Sequence, residues 1–160
     1  MQVYIMRHGD AALHAASDAE RPLTQKGIDE SILMAKWLKN RGIEIDTVLV
    51  SPYLRALQTE KIVGEHLKLP LQNEVLAQLT PGGNAAFVAD HIRDLAVTGA
   101  KAILVVSHLP LVGYLVSQLC PQKEPPMFTT STIACIELDL AFQKSDVEWM
   151  LSPSQLLFAK

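Results

Sequence analysis

Long apolar runs, paired cysteines and a one-sided excess of charge are all missing from this sequence. Its two cysteines, Cys120 and Cys135, form no CxxC pair, so neither a disulfide scaffold nor a thiolate metal site is indicated. Both read as small buried hydrophobes inside apolar segments. No stretch of about eighteen apolar residues occurs, and no membrane-spanning helix is expected. Charged residues make up 19% of the chain against 49% hydrophobic ones, a balance that argues for a packed core and against disorder. The net charge of -3 and a pI near 5.9 leave no basic footprint for nucleic acid. Any anion site must therefore be local. The opening residues "MQVYIMRHG" carry neither a basic n-region nor a small-residue cleavage site, which leads us to expect a cytoplasmic protein. No P-loop, GxGxxG fingerprint or GxSxG elbow is found. There are no internal repeats or low-complexity tracts either, and the 160 residues fit one domain, 1–160, with a monomer as the default expectation.

What is there begins with three short, β-branched, almost wholly apolar runs: "QVYIM" at 2–6, "TVLV" at 47–50 and "AILVV" at 102–106. Continuous apolarity predicts strands covered on both faces, as in a mostly parallel sheet. Helical periods lie between them. Thr24 to Arg41 places Ile28, Ile32, Ala35 and Leu38 on one face and ends at Gly42. Pro52 to Leu67 has Ser51 as expected N-cap and Pro52 as first helical residue. Further helices are predicted over Asn84 to Val97, after "TPGGN", and over Pro110 to Leu119. "STIACIELDL" then alternates like a strand that "DVEWML" pairs with as an antiparallel ribbon, and the Pro-rich "CPQKEPPM" reads as a loop. The order predicts an α/β three-layer sandwich: a mostly parallel central sheet with an antiparallel C-terminal strand and helices on both faces.

In such sheets functional groups gather beyond the carboxyl ends of the strands. The first strand runs into Arg7, His8 and Gly9, the second into "SPYLRALQT" with Arg55, and the third into "SHLP" with His108. Three strand ends thus bring two arginines and two histidines to one edge of an acidic protein. Each alone has a plain structural reading, a satisfied histidine or a surface guanidinium; the joint placement is what points to a phosphoryl pocket. Guanidiniums and helix N-termini bind a phosphate dianion. One imidazole can attack phosphorus while a second, protonated beside the anion, stabilises charge. His8, Asp10 and His14 have the residue types for a cation site, but the flanking arginines oppose one, and neither metal nor cofactor is expected. Ser107 reads as a cap, His66 and His91 as surface or core filler, and Trp37 and Trp149 as packing residues.

"RHG" at 7–9, "SPYLRALQT" at 51–59 and "SH" at 107–108, in that order and each after a strand, resemble the motifs of the histidine phosphatase (phosphoglycerate mutase-like) superfamily. "RPLTQKG" at 21–27 extends the likeness, and "RPLT", "SHLP" and the short length are similar to its small phosphohistidine phosphatases. The resemblance implies that His8 is the nucleophile, that Arg7, Arg55 and His108 hold the phosphoryl group, and that Gly9 orients the nucleophile through its backbone. Arg21, beside Asp18 and Glu20, is expected on the rim as a further substrate-binding group. Asp10 and His14 receive no role. Two departures matter. Phosphomonoester members supply a carboxylic acid after the second strand, where "LPLQNEVLAQLTPGGN" offers only Glu74, which reads as strand. The length also leaves little for a roof over the pocket. Both favour P–N cleavage on another protein's surface, with a histidine-phosphorylated phosphotransfer domain or phosphocarrier protein as partner. The alternatives are a small-molecule phosphomonoesterase or mutase of the same superfamily, and a silent phosphoprotein-binding module.

Overall fold

The three apolar runs become neighbouring parallel strands in the computed structural model, which describes residues 1–70, 73–139, 141 and 144–158, the side chain of Phe158 excepted. Leu71 and Gln72 of the segment around Glu74, and Leu140 at the end of the expected strand, lie outside the described residues. In chain order the elements are β1 (Gln2–Arg7), α1 (Gln25–Asn40), β2 (Thr47–Val50), α2 (Leu54–His66), β3 (Glu74–Val75), α3 (Ala85–Val97), β4 (Ala102–Ser107), α4 (Leu111–Leu119), β5 (Ile133–Glu137), β6 (Asp146–Leu151) and α5 (Pro153–Phe158). Two 3-10 turns, Asp18–Glu20 and Ala77–Leu79, stand between them.

The sheet order is β3-β2-β4-β1-β5-β6. β1 to β4 run parallel, β5 lies antiparallel against β1, and β6 turns back against β5 as the expected ribbon. Alternate residues of each central strand enter different cores, as the two-residue period of a strand requires. Val3, Ile5, Leu49, Ile103 and Val105 meet Val88 and Ile92 of α3 and Leu111 and Leu115 of α4 on one face. Tyr4, Met6, Val48, Leu104 and Val106 meet Met34 and Leu38 of α1 and Ala56 and Val63 of α2 on the other. Each Val, Leu, Ile or Met among them contributes roughly 1.5–3 kcal/mol by leaving water. The result is a sheet rigid enough to hold polar groups at its edge.

Three expectations need correction. Ser51 does not cap α2, whose N-cap residue is Tyr53 with no side-chain cap bond; the helix opens at Leu54 rather than Pro52, and the Ser51 hydroxyl is buried. Ser107 caps nothing: its Oγ donates to the Leu79 carbonyl at 2.6 Å, tying β4 to the second 3-10 turn. The inner face of α1 is Gly27, Ser31, Met34, Ala35 and Leu38 rather than the Ile28–Ile32 stripe. Gly27 explains the rotation, because a Cβ there would stand 2.1 Å from the Asp10 carbonyl oxygen. Only glycine lets the helix start against the loop that follows β1. Thr24 caps the helix by accepting from Gly27 N–H at 3.1 Å, and Gly42, at φ 70°, ends it as expected.

Candidate active site at the carboxyl edge of the sheet

Register alone gathers the site. Arg7 stands opposite Ser107, and Val50 opposite Val106, so His8, Ser51 and His108 all leave the sheet at one edge. The rings of His8 and His108 lie 4.9 Å apart, and Arg55 is folded in from the first turn of α2, only 3% exposed. The four residues expected together are together.

The protonation of His8 follows from its neighbours. Nδ1 lies 2.7 Å from the Gly9 carbonyl, which only accepts, and Nε2 lies 3.3 Å from Arg55 Nε, which only donates. Nδ1 therefore carries the hydrogen and Nε2 keeps its lone pair. Burial pushes the pKa of His8 down to about 4; the Gly9 bond opposes this, while Arg55, Arg7 and Arg21 reinforce it. The ring is neutral at physiological pH. Gly9 N–H donates to Thr59 Oγ1 at 3.0 Å, and the Thr59 hydroxyl donates to the Arg55 carbonyl at 2.8 Å. One threonine thus joins the loop after β1 to the helix that carries Arg55.

Arg55 uses one hydrogen of each terminal nitrogen on Asp18, Nη1 to the backbone oxygen at 2.6 Å and Nη2 to Oδ2 at 3.2 Å. One hydrogen on each remains for a ligand. Arg7 Nη1 donates to the Phe128 carbonyl at 2.8 Å, while its Nε is buried without a partner. Burial and then Arg55 lower the Arg7 pKa; the pocket is crowded with positive charge that an anion would relieve. His108 Nε2 lies 2.7 Å from Ser51 Oγ, and its Nδ1, also buried, has no partner. Burial, then His8 and Arg55, push the His108 pKa down to about 2. Burial and these cationic neighbours oppose a charge on His108 before an anion binds; the protonation expected from sequence is that of the ring beside a bound anion.

Arg21 is at the rim, with Nε on the Ala12 carbonyl at 2.6 Å and Nη1 on Asp18 Oδ1 at 2.9 Å. Asp18 so joins both arginines, and its carboxyl is held below the usual range chiefly by Arg21. Asp10 accepts from the Thr24 hydroxyl at 2.7 Å and secures the start of α1. Glu20 meets Ser17. Glu74, in β3 as expected, pairs with His91 at 2.9 Å. His14 is exposed beside Leu13 and Asp18 in the rim depression. His8, Asp10 and His14 form no metal cluster, and no such group of three exists among the described residues. Sequence singles out neither Ser51 nor Thr59 as a site builder, and Asp18 only as a rim residue beside Arg21. The signal for the first two was their place in "SPYLRALQT", where Thr59 follows Arg55 by one helical turn; for Asp18 it was the acid–base spacing to Arg21.

Two guanidiniums, two imidazoles and buried nitrogens that no protein group meets define a pocket for a tetrahedral oxyanion beside an unprotonated ring nitrogen, the equipment of phosphoryl transfer to histidine. The family model of the histidine phosphatase superfamily (branch 1) matches residues 3–79. The chain is 56% identical over 160 residues to the phosphohistidine phosphatase SixA of Escherichia coli (strain K12), covering 100% of this chain and 99% of that one. It is 40% identical over 141 residues to a SixA homolog of Haemophilus influenzae, covering 84% and 86%. The solved structure of the protein histidine phosphatase SixA complexed with tungstate matches with a TM-score of 0.95 at 56% identity, over 98% of this chain and 99% of that one. The chain belongs to the histidine phosphatase superfamily.

Proposed function

We propose that the protein is a phosphohistidine phosphatase that dephosphorylates a histidine-phosphorylated partner protein in two transfers, through a phosphohistidine on His8. The observation that carries this is the fixed state of His8: Nδ1–H on Gly9, Nε2 unprotonated beside Arg55. In the first step Nε2 forms a bond to phosphorus, and the P–N bond of the partner breaks. A partner imidazole protonated on its other nitrogen leaves neutral, so no acid has to donate. His8 keeps its Nδ1 proton throughout and carries the positive charge of the intermediate. Water then attacks phosphorus, His8 leaves as a neutral ring, and the water proton departs with phosphate. Arg7, Arg55 and His108 meet the phosphoryl oxygens; Gly9 orients His8, and Arg21 borders the entrance.

The carboxylates near the pocket support this substrate class. Asp10 is engaged by Thr24 and Asp18 is an anion between two arginines, while Glu74 is paired with His91 on the edge strand. Each is thus tied to a partner of its own, whereas cleavage of a monoester would call for a carboxylic acid free to protonate the leaving alkoxide. That a relative at 56% identity forms a complex with tungstate, a tetrahedral oxyanion, agrees with phosphoryl binding. The partner we propose is a phosphotransfer domain or phosphocarrier protein, with the phosphatase acting as a monomer.

The test is incubation with a histidine-phosphorylated protein. Phosphate release, with acid-labile and base-stable phosphate trapped on His8, is the expected outcome; His8→Ala should slow turnover on the order of 10⁴-fold or more, as for loss of a nucleophile. Faster turnover of small phosphomonoesters would instead favour the monoesterase reading, and phosphoprotein binding without release the silent module.

A further inference from the structure

The Ser51 hydroxyl is wholly buried, and its hydrogen has one place to go. Ser51 Oγ accepts the Tyr53 N–H at 3.2 Å and lies 2.7 Å from His108 Nε2. An N–H cannot accept, and among the described residues the hydroxyl has no third partner. The hydroxyl hydrogen therefore belongs to His108 Nε2. That makes Nε2 the acceptor of the ring, and a neutral imidazole then carries its own hydrogen on Nδ1. The opposite tautomer would leave two buried faults at once, a serine hydrogen without an acceptor and an Nδ1 lone pair without a donor. The Nδ1–H tautomer leaves one unpaired group, the Nδ1–H itself, on a ring whose centroid lies 4.9 Å from that of His8. Ser51 is itself held in place, since its own N–H donates to the Val106 carbonyl at 3.0 Å, two residues before His108 on the same chain segment.

We propose that Ser51 is a positioning residue, fixing His108 in the Nδ1–H tautomer so that the ring presents a donor to the phosphoryl oxygen. The acceptor named there rests on the phosphatase reading; the tautomer does not. Burial and its cationic neighbours oppose a charge on the His108 ring before an anion arrives, so the tautomer decides which nitrogen then carries the hydrogen. Serine is matched to the task because its single hydroxyl both accepts from Tyr53 and donates to the ring.

The experiment reads the tautomer and the rate in the intact protein. Long-range proton–nitrogen correlation spectra of ¹⁵N-labelled protein at pH 7, with the ring assigned through His108→Gln, should give a pyrrole-type Nδ1 and a pyridine-type Nε2. Ser51→Ala should move the ring toward the Nε2–H form and lower kcat on a histidine-phosphorylated protein by roughly 10- to 100-fold, the range for partners that orient a working imidazole, with KM little changed. Ser51→Thr, which keeps the hydroxyl, should restore both. An Nε2–H ring in the unsubstituted protein overturns the proposal even if no variant folds. So does Ser51→Ala with an unchanged tautomer, whatever its rate, or with a changed tautomer and an unchanged kcat. An inactive unsubstituted protein with the Nδ1–H ring would refute the phosphatase reading and leave the tautomer standing.

Discussion

β1 enters the sheet at Gln2 and leaves it at Arg7, and the two ends treat polar groups in opposite ways. At the first, everything closes on itself. The N-terminal ammonium reaches Glu137 Oε1 at 3.1 Å and the Leu138 carbonyl at 3.4 Å, the Gln2 amide donates to Glu137, and the Cys135 thiol donates to Gln2 Oε1 at 2.8 Å. At the second, Arg7 Nε and His108 Nδ1 are buried with nothing to bond, and two imidazoles are kept neutral among three arginines. A buried donor that no protein group meets is open to a ligand's acceptor, so the protein itself completes one end of the strand and not the other. The same sheet carries both. The difference lies in what is left for a ligand to complete.

The sharpest way to break the contrast is at the arginines. Arg7→Ala and Arg55→Ala should each lower kcat/KM by roughly 10²- to 10³-fold, the scale for one preorganised donor at developing charge. Steady-state rates on a histidine-phosphorylated protein check this. A near-normal rate in either variant would remove that guanidinium from the pocket, and the two strand ends would differ only in their hydrogen-bond inventory.

Acid should act on the His8 end in a defined direction. The folded pKa of His8, about 4, lies below the value near 6.5 of an unperturbed histidine. Between them the unfolded chain binds a proton that the folded one refuses. Stability from this group is therefore complete above about pH 6.5 and drains as pH falls toward 4, by up to ~1.4 kcal/mol per pH unit for the single proton. Urea unfolding of the protein and of His8→Gln at pH 7, 6 and 5 isolates the contribution, with the variant expected to lose less on acidification. Equal slopes would mean that the ring is already charged or already solvated in the folded state.

How much of this contrast was legible in the sequence depends on how local each feature is. Unbroken apolar runs announced the central strands, and strand ends followed by Arg7–His8–Gly9, Arg55 and His108 announced the functional edge, because both are properties of adjacent residues. Ser51 was misplaced as a cap, since proline and serine before a helix obey local capping chemistry while its actual partner is 57 positions away. The face of α1 was misjudged for a related reason. Ile28 and Ile32 have the greater apolarity, but the close approach of the Asp10 backbone turns Gly27 and Ser31 inward. β3 consists of two exposed residues and depends on pairing with β2, so only Glu74 of it reads as strand, and α5, six residues long, has no room for a period.

Gly27 also gives the next test. Gly27→Ala would set a Cβ 2.1 Å from the Asp10 carbonyl oxygen, and overpacking of that kind costs about 1–3 kcal/mol. Because Gly9 lies against the Gly27 carbonyl, with room for no Cβ of its own, the displacement should reach the loop that holds His8. A lowered urea midpoint accompanied by a lowered kcat is expected. A loss of stability with an unchanged kcat would show that the loop is positioned by Thr59 and the sheet alone.

The smallest effect belongs to the closed end. Gln2→Ala removes one partner from Glu137 and one from Cys135, in a cluster whose Glu137 is half-exposed, where water replaces what is lost. Stability should fall by about 1 kcal/mol or less, and kcat should stay at its unsubstituted value, since β1 runs its full length between Gln2 and the pocket. Unfolding midpoints and steady-state rates on the same preparation measure both. A change in kcat without a change in stability would couple the two ends of the strand, and the unpaired donors at Arg7 could then no longer be treated as a property of that end alone.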